Sequence, residues 1–220
     1  MEIYDLTTFY IVAMEIFLAF SIVRVLKFSA IKNPAIGKAS IIFGFWLTAV
    51  LILFGVLKVL PQDISSMALF GIILVGITAS GVFFYLLKDE FLALPQEFLL
   101  LPQAFRMFFG AGFIVEAVFN IIPAVYGVVD GMLHITTAFL ATTLAIYIAR
   151  GYKCRKSLIS VNIFGLFDLV IVASGIAFVI LGDIGSGHNL FLAVFFAAPI
   201  FIWLHLISLY KVFFEKIRIK

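Results

Sequence analysis

The sequence has few charged residues and a single cysteine. Charged side chains make up 12% of its 220 residues, whereas 65% of the residues are apolar and the mean hydropathy is +1.24. So few charges cannot cover the surface of a water-soluble domain of this length. One cysteine, Cys154, excludes an intramolecular disulfide and a metal site built from several thiolates. We therefore expect the chain to lie in a lipid bilayer.

The chain also lacks a concentrated basic surface. Its formal net charge is only +3, and the basic residues lie in short clusters between apolar runs. Such clusters are typical of loops that orient a membrane protein, so we expect no nucleic acid partner. The N-terminus has no basic flank like that of a secretory signal peptide, so we expect the first apolar run to be retained. The 27 phenylalanines are spread along the chain, which favours a single integral membrane domain over residues 1–220.

Seven apolar runs are long enough to cross a bilayer as helices, which takes about 20 residues each. We place these spans at approximately 7–28, 39–60, 64–87, 105–127, 130–149, 157–182 and 190–210. Residues that favour turns, chiefly glycine, proline, asparagine and aspartate, interrupt the runs. The predicted fold is an all-α, polytopic transmembrane helical bundle.

Lysine and arginine are concentrated in alternate connections. The basic clusters are Arg24, Lys27, Lys32 and Lys38; Lys88 and Arg106; Arg150, Lys153, Arg155 and Lys156; and Lys211, Lys216, Arg218 and Lys220. The other connections contain Asp63, Asp130 and Asp183, with Lys58 nearby. Because basic loops remain in the cytoplasm, the pattern predicts an N-terminus outside and a cytoplasmic C-terminus. We expect the membrane to be a prokaryotic cytoplasmic (inner) membrane.

The third connection contains a short repeat. Leu94-Pro95-Gln96-Glu97-Phe98 is followed seven residues later by Leu101-Pro102-Gln103-Ala104-Phe105. Proline is favoured at the first position of a helix, so each copy can begin a helical turn. We interpret the first copy as a short interfacial helix between spans 3 and 4, and the second as the start of the fourth span.

Eight polar residues lie within or at the ends of the predicted spans, where an ionisable group costs on the order of 3 kcal/mol. We assign them to a substrate or proton path: Glu15, Glu116, Asn120, Asp130, His134, Asn162, Asp168 and His205. A rise of about 1.5 Å per residue puts Glu15, Glu116 and Asp168 near the middle of the bilayer. The same rise puts Asn162 and His205 nearer the cytoplasm.

Two cofactors are disfavoured by the positions of histidine and lysine. His134 and His205 differ by about 15 Å in predicted depth, so we expect neither a bis-histidine haem nor one metal shared by this pair. A retinal Schiff base needs a lysine within the seventh span, and Lys211 lies only at its cytoplasmic end. We therefore expect no retinal.

Three functions are compatible with this pattern. The leading hypothesis is a proton-coupled transporter of a small solute or ion, because buried acids with polar groups toward both surfaces are typical of a relay. The alternative is an intramembrane metal-dependent hydrolase or oxidoreductase, with Glu15, Glu116 and Asp168 as oxygen ligands beside one histidine. The third is a non-catalytic sensor or complex subunit, in which buried polar groups only fix helix packing.

The predicted orientation can be tested at Cys154, which lies in the fifth connection. A thiol reagent that cannot cross membranes should leave Cys154 unlabelled in intact cells and label it after lysis. Asp183→Cys in a Cys154→Ser background should label in both, since Asp183 lies in a predicted outer loop. Equal labelling of Cys154 in intact and lysed cells would overturn the orientation.

Overall fold

A computed structural model describes residues 3–214, which are helical with no β-strand in that range. Seven helices are long and apolar enough to cross a membrane, and we number them spans 1 to 7: Ile3–Phe28, Ile36–Val56, Ser66–Leu86, Gln96–Val118, Ala124–Ala149, Arg155–Ile184 and Leu190–Phe214. The prediction of an all-helical chain with seven such helices is confirmed. The orientation stays a prediction, and its last basic residues, Lys216, Arg218 and Lys220, lie outside the described residues.

Several spans are not uniform α-helices. The α-helical segments are Ile3–Val25, Ile36–Val50, Ser66–Leu86, Lys88–Leu92, Gln96–Leu100, Arg106–Val118, Ala124–Ala149, Arg155–Gly175, Leu181–Ile184, Leu190–Phe195 and Ala197–Phe214. Tighter 3₁₀ turns form Leu26–Phe28 and Leu101–Phe105, and wider π-helical turns form Leu51–Val56 and Ile176–Ile180. Both π-helical turns lie near the C-terminal ends of their spans: the first ends just before Lys58, and the second ends just before Asp183.

Span 4 begins at the first Pro-Gln copy rather than the second. Pro95 directly precedes the helix Gln96–Leu100, and the second copy forms the 3₁₀ turn inside the span. The predicted start at residue 105 is therefore wrong, and Arg106 lies about 15 Å inside span 4 instead of at its flank. A separate short helix, Lys88–Leu92, lies between spans 3 and 4. The interfacial helix predicted at the first copy is not confirmed, because that copy leads into span 4.

Span 4 ends in a turn that cannot be recognised from the hydropathy of the sequence, because the residues around it are mostly apolar. Asn120 adopts a left-handed backbone with φ of 55°, which asparagine tolerates better than most residues. The Ile121 N–H donates to the carbonyl of Glu116 at 2.8 Å, and the Asn120 N–H donates to that of Ala117 at 3.1 Å. This pair of bonds closes a helix in the Schellman arrangement. Asn120 is thus exposed in a turn, and its predicted position within a span at 105–127 is wrong.

Glycines let spans 4 and 5 approach until their backbones nearly touch. A Cβ on Gly110 would collide with the carbonyl oxygen of Gly131, and one on Gly131 would collide with the carbonyl of Gly110. A Cβ on Gly127 would lie 2.8 Å from the carbonyl oxygen of Phe113. Small residues at a helix crossing allow this approach in a membrane. The contact sets span 4 directly against the polar part of span 5.

Span 7 lies at the centre of the bundle. In its most apolar stretch 72% of the residues are buried, whereas no other span exceeds 44%. Its helix is interrupted at Phe196, because Pro199 has no N–H to bond the carbonyl of Phe195. That carbonyl instead accepts a hydrogen bond from the indole Nε1 of Trp46 in span 2, at 3.1 Å. The interruption of span 7 is therefore stabilised from a neighbouring span.

The bond from Trp46 to Phe195 can be tested with a double-mutant cycle. Trp46→Phe should lower the free energy of unfolding by about 1–3 kcal/mol, because the Phe195 carbonyl is left buried without a donor. In a Pro199→Ala background the new N–H can serve that carbonyl, so the same substitution should cost less. Unfolding of purified protein in detergent measures both values. An equal cost in the two backgrounds would contradict the role given to this bond, since the loss of indole volume is common to both.

Candidate functional site

Arg106 is fully buried and is contacted by three other spans. Its Nη1 donates to the carbonyl oxygen of Gly165 at 3.1 Å and to Nε2 of His205 at 3.3 Å. Its Nη2 forms an ion pair with Oδ2 of Asp168 and lies 3.4 Å from Nδ1 of His134. A cation in a membrane-spanning bundle requires such partners. Arg106 therefore joins spans 4, 5, 6 and 7 at one point.

Asp168 accepts hydrogen bonds from three side chains. Arg106 and the hydroxyl of Thr137, at 2.8 Å, both donate to Oδ2, and Nδ1 of His134 lies 3.0 Å from Oδ1. Because a carboxylate with three donors is an acceptor only, the network assigns the proton of the His134 ring to Nδ1. Nε2 of His134 is then the basic nitrogen. We call Asp168, Thr137, His134 and nearby Asp130 the aspartate branch of the network.

A second branch runs from Arg106 to the start of span 4. Nδ1 of His205 donates to Oδ1 of Asn162 at 2.8 Å, and Nδ2 of Asn162 donates to the hydroxyl of Ser208 at 2.9 Å. That hydroxyl donates to Oε1 of Gln96 at 2.9 Å, and Nε2 of Gln96 returns to the backbone carbonyl of Ser208 at 3.2 Å. We call these four residues the glutamine branch.

The glutamine branch has one consistent direction of donation. Arg106 can only donate, so Nε2 of His205 must accept, and the proton of that ring must lie on Nδ1. Each later residue donates to the next, because Nδ2 of Asn162 also donates to the Leu158 carbonyl at 2.7 Å. His205 is therefore neutral in this arrangement. The branch holds Arg106 in place and leaves no group with a proton to give away.

Asp130 is the one carboxylate of the cluster without a counter-charge in contact. It is 2% exposed, and neither of its oxygens has a hydrogen-bond partner among residues 3–214. One ligand atom each of Asp130, His134 and Asp168 lie within 4.8 Å of one another. This separation could suit a metal ion, but Arg106 already neutralises Asp168. A divalent ion would add an excess positive charge beside a guanidinium, so the group is better suited to a single positive charge.

The structure brings together five of the eight predicted path residues. Asp130, His134, Asn162, Asp168 and His205 belong to one connected cluster around Arg106. The predicted 15 Å separation in depth between His134 and His205 is wrong, because the two rings contact two nitrogens of one guanidinium. The two depths are counted from Arg150 and Lys211, and such offsets agree only if both basic residues lie at the same level, whereas Lys211 is itself buried.

The other predicted acids lie elsewhere. Glu15 is fully buried in span 1, and its carboxylate has no partner in the part of the chain that is described. Glu116 is buried near the end of span 4, beside Thr7 and Asn189. The hypothesis that Glu15, Glu116 and Asp168 converge is therefore not supported by the geometry, and neither is a metal site made from these three residues.

Arg106, Thr137, Ser208 and Gln96 were missed as site residues. The sequence pattern predicts that Arg106 is a loop cation, because lysine and arginine usually flank spans. Mostly apolar residues nevertheless extend for about two turns on both sides of it, and Asp168 lies in the middle of another apolar run. An isolated buried acid requires a buried base, and this requirement is the signal that could have paired the two.

His188, in the connection before span 7, was not among the predicted site residues either. Burial, together with the nearby charge of Lys58, lowers the pKa of His188 to about 4. Its Nδ1 accepts a hydrogen bond from the Leu190 N–H at 3.2 Å, which only an unprotonated nitrogen can do. Because this pKa lies below the ordinary 6.5, the contribution of His188 to stability is complete above about pH 6.5 and falls toward pH 4.

Comparison with known proteins gives a family without an assigned activity. A family model described as "Domain of unknown function (DUF8737)" matches residues 42–213. No curated protein and no solved structure matches the chain. The matched range contains Arg106 and both branches of the network, whereas Glu15 lies outside it.

The close approach of span 6 to the cluster can be tested at Gly165. A Cβ there would collide with the ring of His205, so Gly165→Ala should displace the ring and lower the free energy of unfolding by about 1–3 kcal/mol. Gly71→Ala is the matched control, since no atom lies within 4 Å of a Cβ at that position. It should be neutral or stabilising by up to about 1 kcal/mol. Similar unfolding midpoints for the two variants would contradict the packing of His205 on Gly165.

Proposed function

We propose that this chain, which belongs to the family described as Domain of unknown function (DUF8737), is a membrane transporter that couples a small solute or ion to a proton. The observation that carries the proposal is the charged cluster buried inside a bundle of seven spanning helices. An ion pair of Arg106 and Asp168, with Asp130 beside it, is costly in a membrane. A protein that needed only stable packing could use apolar side chains at these positions.

The two branches of the network support a carrier rather than an open proton channel. The aspartate branch contains carboxyl and imidazole groups, which can gain and lose protons. The glutamine branch passes through the amides of Asn162 and Gln96, which do not release their protons. Arg106 lies between the branches as a fixed positive charge, and such a charge repels protons in a pore. A proton can therefore occupy the aspartate branch without passing freely to the start of span 4.

A cavity near the start of spans 1 and 7 supports a small polar solute as the transported molecule. It has a volume of about 330 Å³ and is lined in part by Tyr4, Thr8, Lys58 and Asn189. Pockets of this volume hold small molecules, and hydroxyl, amide and ammonium groups can orient a polar one. Under the predicted orientation this cavity opens on the outer side of the membrane.

The other two hypotheses make different demands. A metal-dependent enzyme would use Asp130, His134 and Asp168 rather than the three acids predicted from the sequence, and it would have to tolerate Arg106 next to the metal. A sensor or complex subunit would need the cluster for packing alone. Metal analysis of the purified protein separates the enzyme from the transporter, and proton flux separates the transporter from the subunit.

Proton flux should depend on the buried ion pair. Purified protein in liposomes that contain a pH-sensitive dye should carry protons when one member of a panel of amino acids, organic acids, sugars and inorganic ions is added. Arg106→Gln combined with Asp168→Asn removes both charges, so it leaves no lone buried ion that would cost about 3–5 kcal/mol. We expect this double variant to fold and to lose at least about tenfold in solute-dependent flux, about 1.4 kcal/mol in barrier terms.

Asp183→Asn is the control for loss of an acidic group, because Asp183 is exposed and lies outside the network. It should keep the flux of the unsubstituted protein. Equal flux in the double variant and this control would contradict the proposal. Stoichiometric metal in the purified protein that is lost with Asp168→Asn would favour the enzyme instead.

A further inference from the structure

The charge balance of the cluster leaves one negative charge over. Arg106 and Asp168 neutralise each other, the donor pattern makes His205 neutral, and a His134 ring with its proton on Nδ1 alone is neutral as well. Asp130 is 2% exposed and accepts no hydrogen bond from the described residues. An ionised carboxylate in this position would bear the full cost of burial without compensation. One added positive charge makes the whole cluster neutral.

We propose that Asp130, His134 and Asp168 hold a single exchangeable proton, which resides on Asp130 and moves to His134 during the cycle. The inference rests on the proposed transport function and names the group that carries its proton. The hydroxyl proton of Asp130 passes to Nε2 of His134, which leaves an Asp130 carboxylate and a His134 imidazolium. The Nδ1 proton of His134 stays on its bond to Asp168.

The surroundings of the two groups suit this transfer. Asp130 makes no hydrogen bond to His134, although ligand atoms of the two residues lie within 4.8 Å, so the transfer requires a side-chain rotation or a bridging water. After transfer, the positive charges of Arg106 and His134 are matched by the carboxylates of Asp130 and Asp168, so the cluster stays neutral as a whole.

The neighbours of Asp130 limit the site to one proton. The titratable groups that interact electrostatically with Asp130 are Tyr126 and His134 from its own helix, Asp168 from span 6 and Arg106 from span 4. With no proton the cluster carries a net negative charge, and with two it carries a net positive charge beside the guanidinium. Both states are costly in a low-dielectric interior. We therefore expect one proton to be taken up per cycle.

Glu15 provides a comparison within the same chain. Its carboxylate is also fully buried without a described partner, but no titratable group of the described residues acts on it. A proton on Glu15 has no acceptor in reach, so it should stay in place. Burial alone therefore does not make the proton of a carboxyl group exchangeable. The proton on Asp130 is exchangeable because His134 is a neighbouring base that can accept it.

Infrared difference spectroscopy of the full-length protein in lipid, titrated with acid and base, tests this assignment. A protonated carboxylic acid has a carbonyl band separate from that of a carboxylate. The unsubstituted protein should show one such band that disappears as the pH rises, and Asp130→Asn should lack it. His134→Gln should keep the band but lose proton flux, because the acceptor is missing. Glu15→Gln should leave this pH-dependent difference spectrum unchanged, because the proton on Glu15 is expected to stay in place.

The outcomes separate this inference from the proposed function. A pH-dependent band that survives in folded Asp130→Asn overturns the assignment to Asp130, even if solute-dependent flux is intact. Loss of the band in Asp130→Asn, in a protein that moves no protons with any solute of the panel, supports the proton site but overturns transport. Two bands that titrate together and both vanish in Asp130→Asn would overturn the limit of one proton.

Discussion

A guanidinium inside a helical bundle must be both hydrogen-bonded and neutralised, and this requirement organises the middle of the structure. Span 4 carries Arg106, span 6 contributes Asp168 and span 7 contributes His205, while span 5 holds Asp168 in place through His134. These spans can come so close because glycines lie at their contacts, Gly110 against Gly131 and Gly165 against His205. The packing of small residues and the placement of the charge are therefore two parts of one arrangement.

The unequal roles of the two branches arise from the chemistry of their members. Amide side chains fix the direction of donation, so the glutamine branch specifies one geometry and one protonation state for His205. The aspartate branch contains only acids, a hydroxyl and an imidazole, whose protons can be rearranged. Arg106 is thus contacted by one branch with a fixed arrangement of protons and by one branch whose protons can be rearranged. Among the described residues, Nε of Arg106 and both oxygens of Asp130 are the buried side-chain atoms of this cluster that have no hydrogen-bond partner.

Hydropathy and length predicted the number of spans, because the cost of exposing backbone and charge to lipid leaves few alternatives to long apolar helices. They failed at the end of span 4, where the turn at Asn120 is flanked by Phe119 and Ile121, which are as apolar as the residues of the helix. They also failed at Arg106, since composition treats an arginine as a boundary and cannot detect a partner 62 residues away at Asp168. Which buried charges pair depends on the tertiary structure. A single sequence shows only that a charged residue in an apolar run needs a partner.

The π-helical turn Ile176–Ile180 in span 6 bears on how members of the family should align. A π-helical turn holds one more residue than an α-helical turn, so removing a single residue there restores a regular helix. Such a deletion rotates only the short segment Leu181–Ile184 and its loop, and it leaves Asp168 facing Arg106. A one-residue deletion closer to Asp168 would instead turn that carboxylate by about 100° away from its partner. Length variation of span 6 beyond Gly175 is therefore compatible with the buried site.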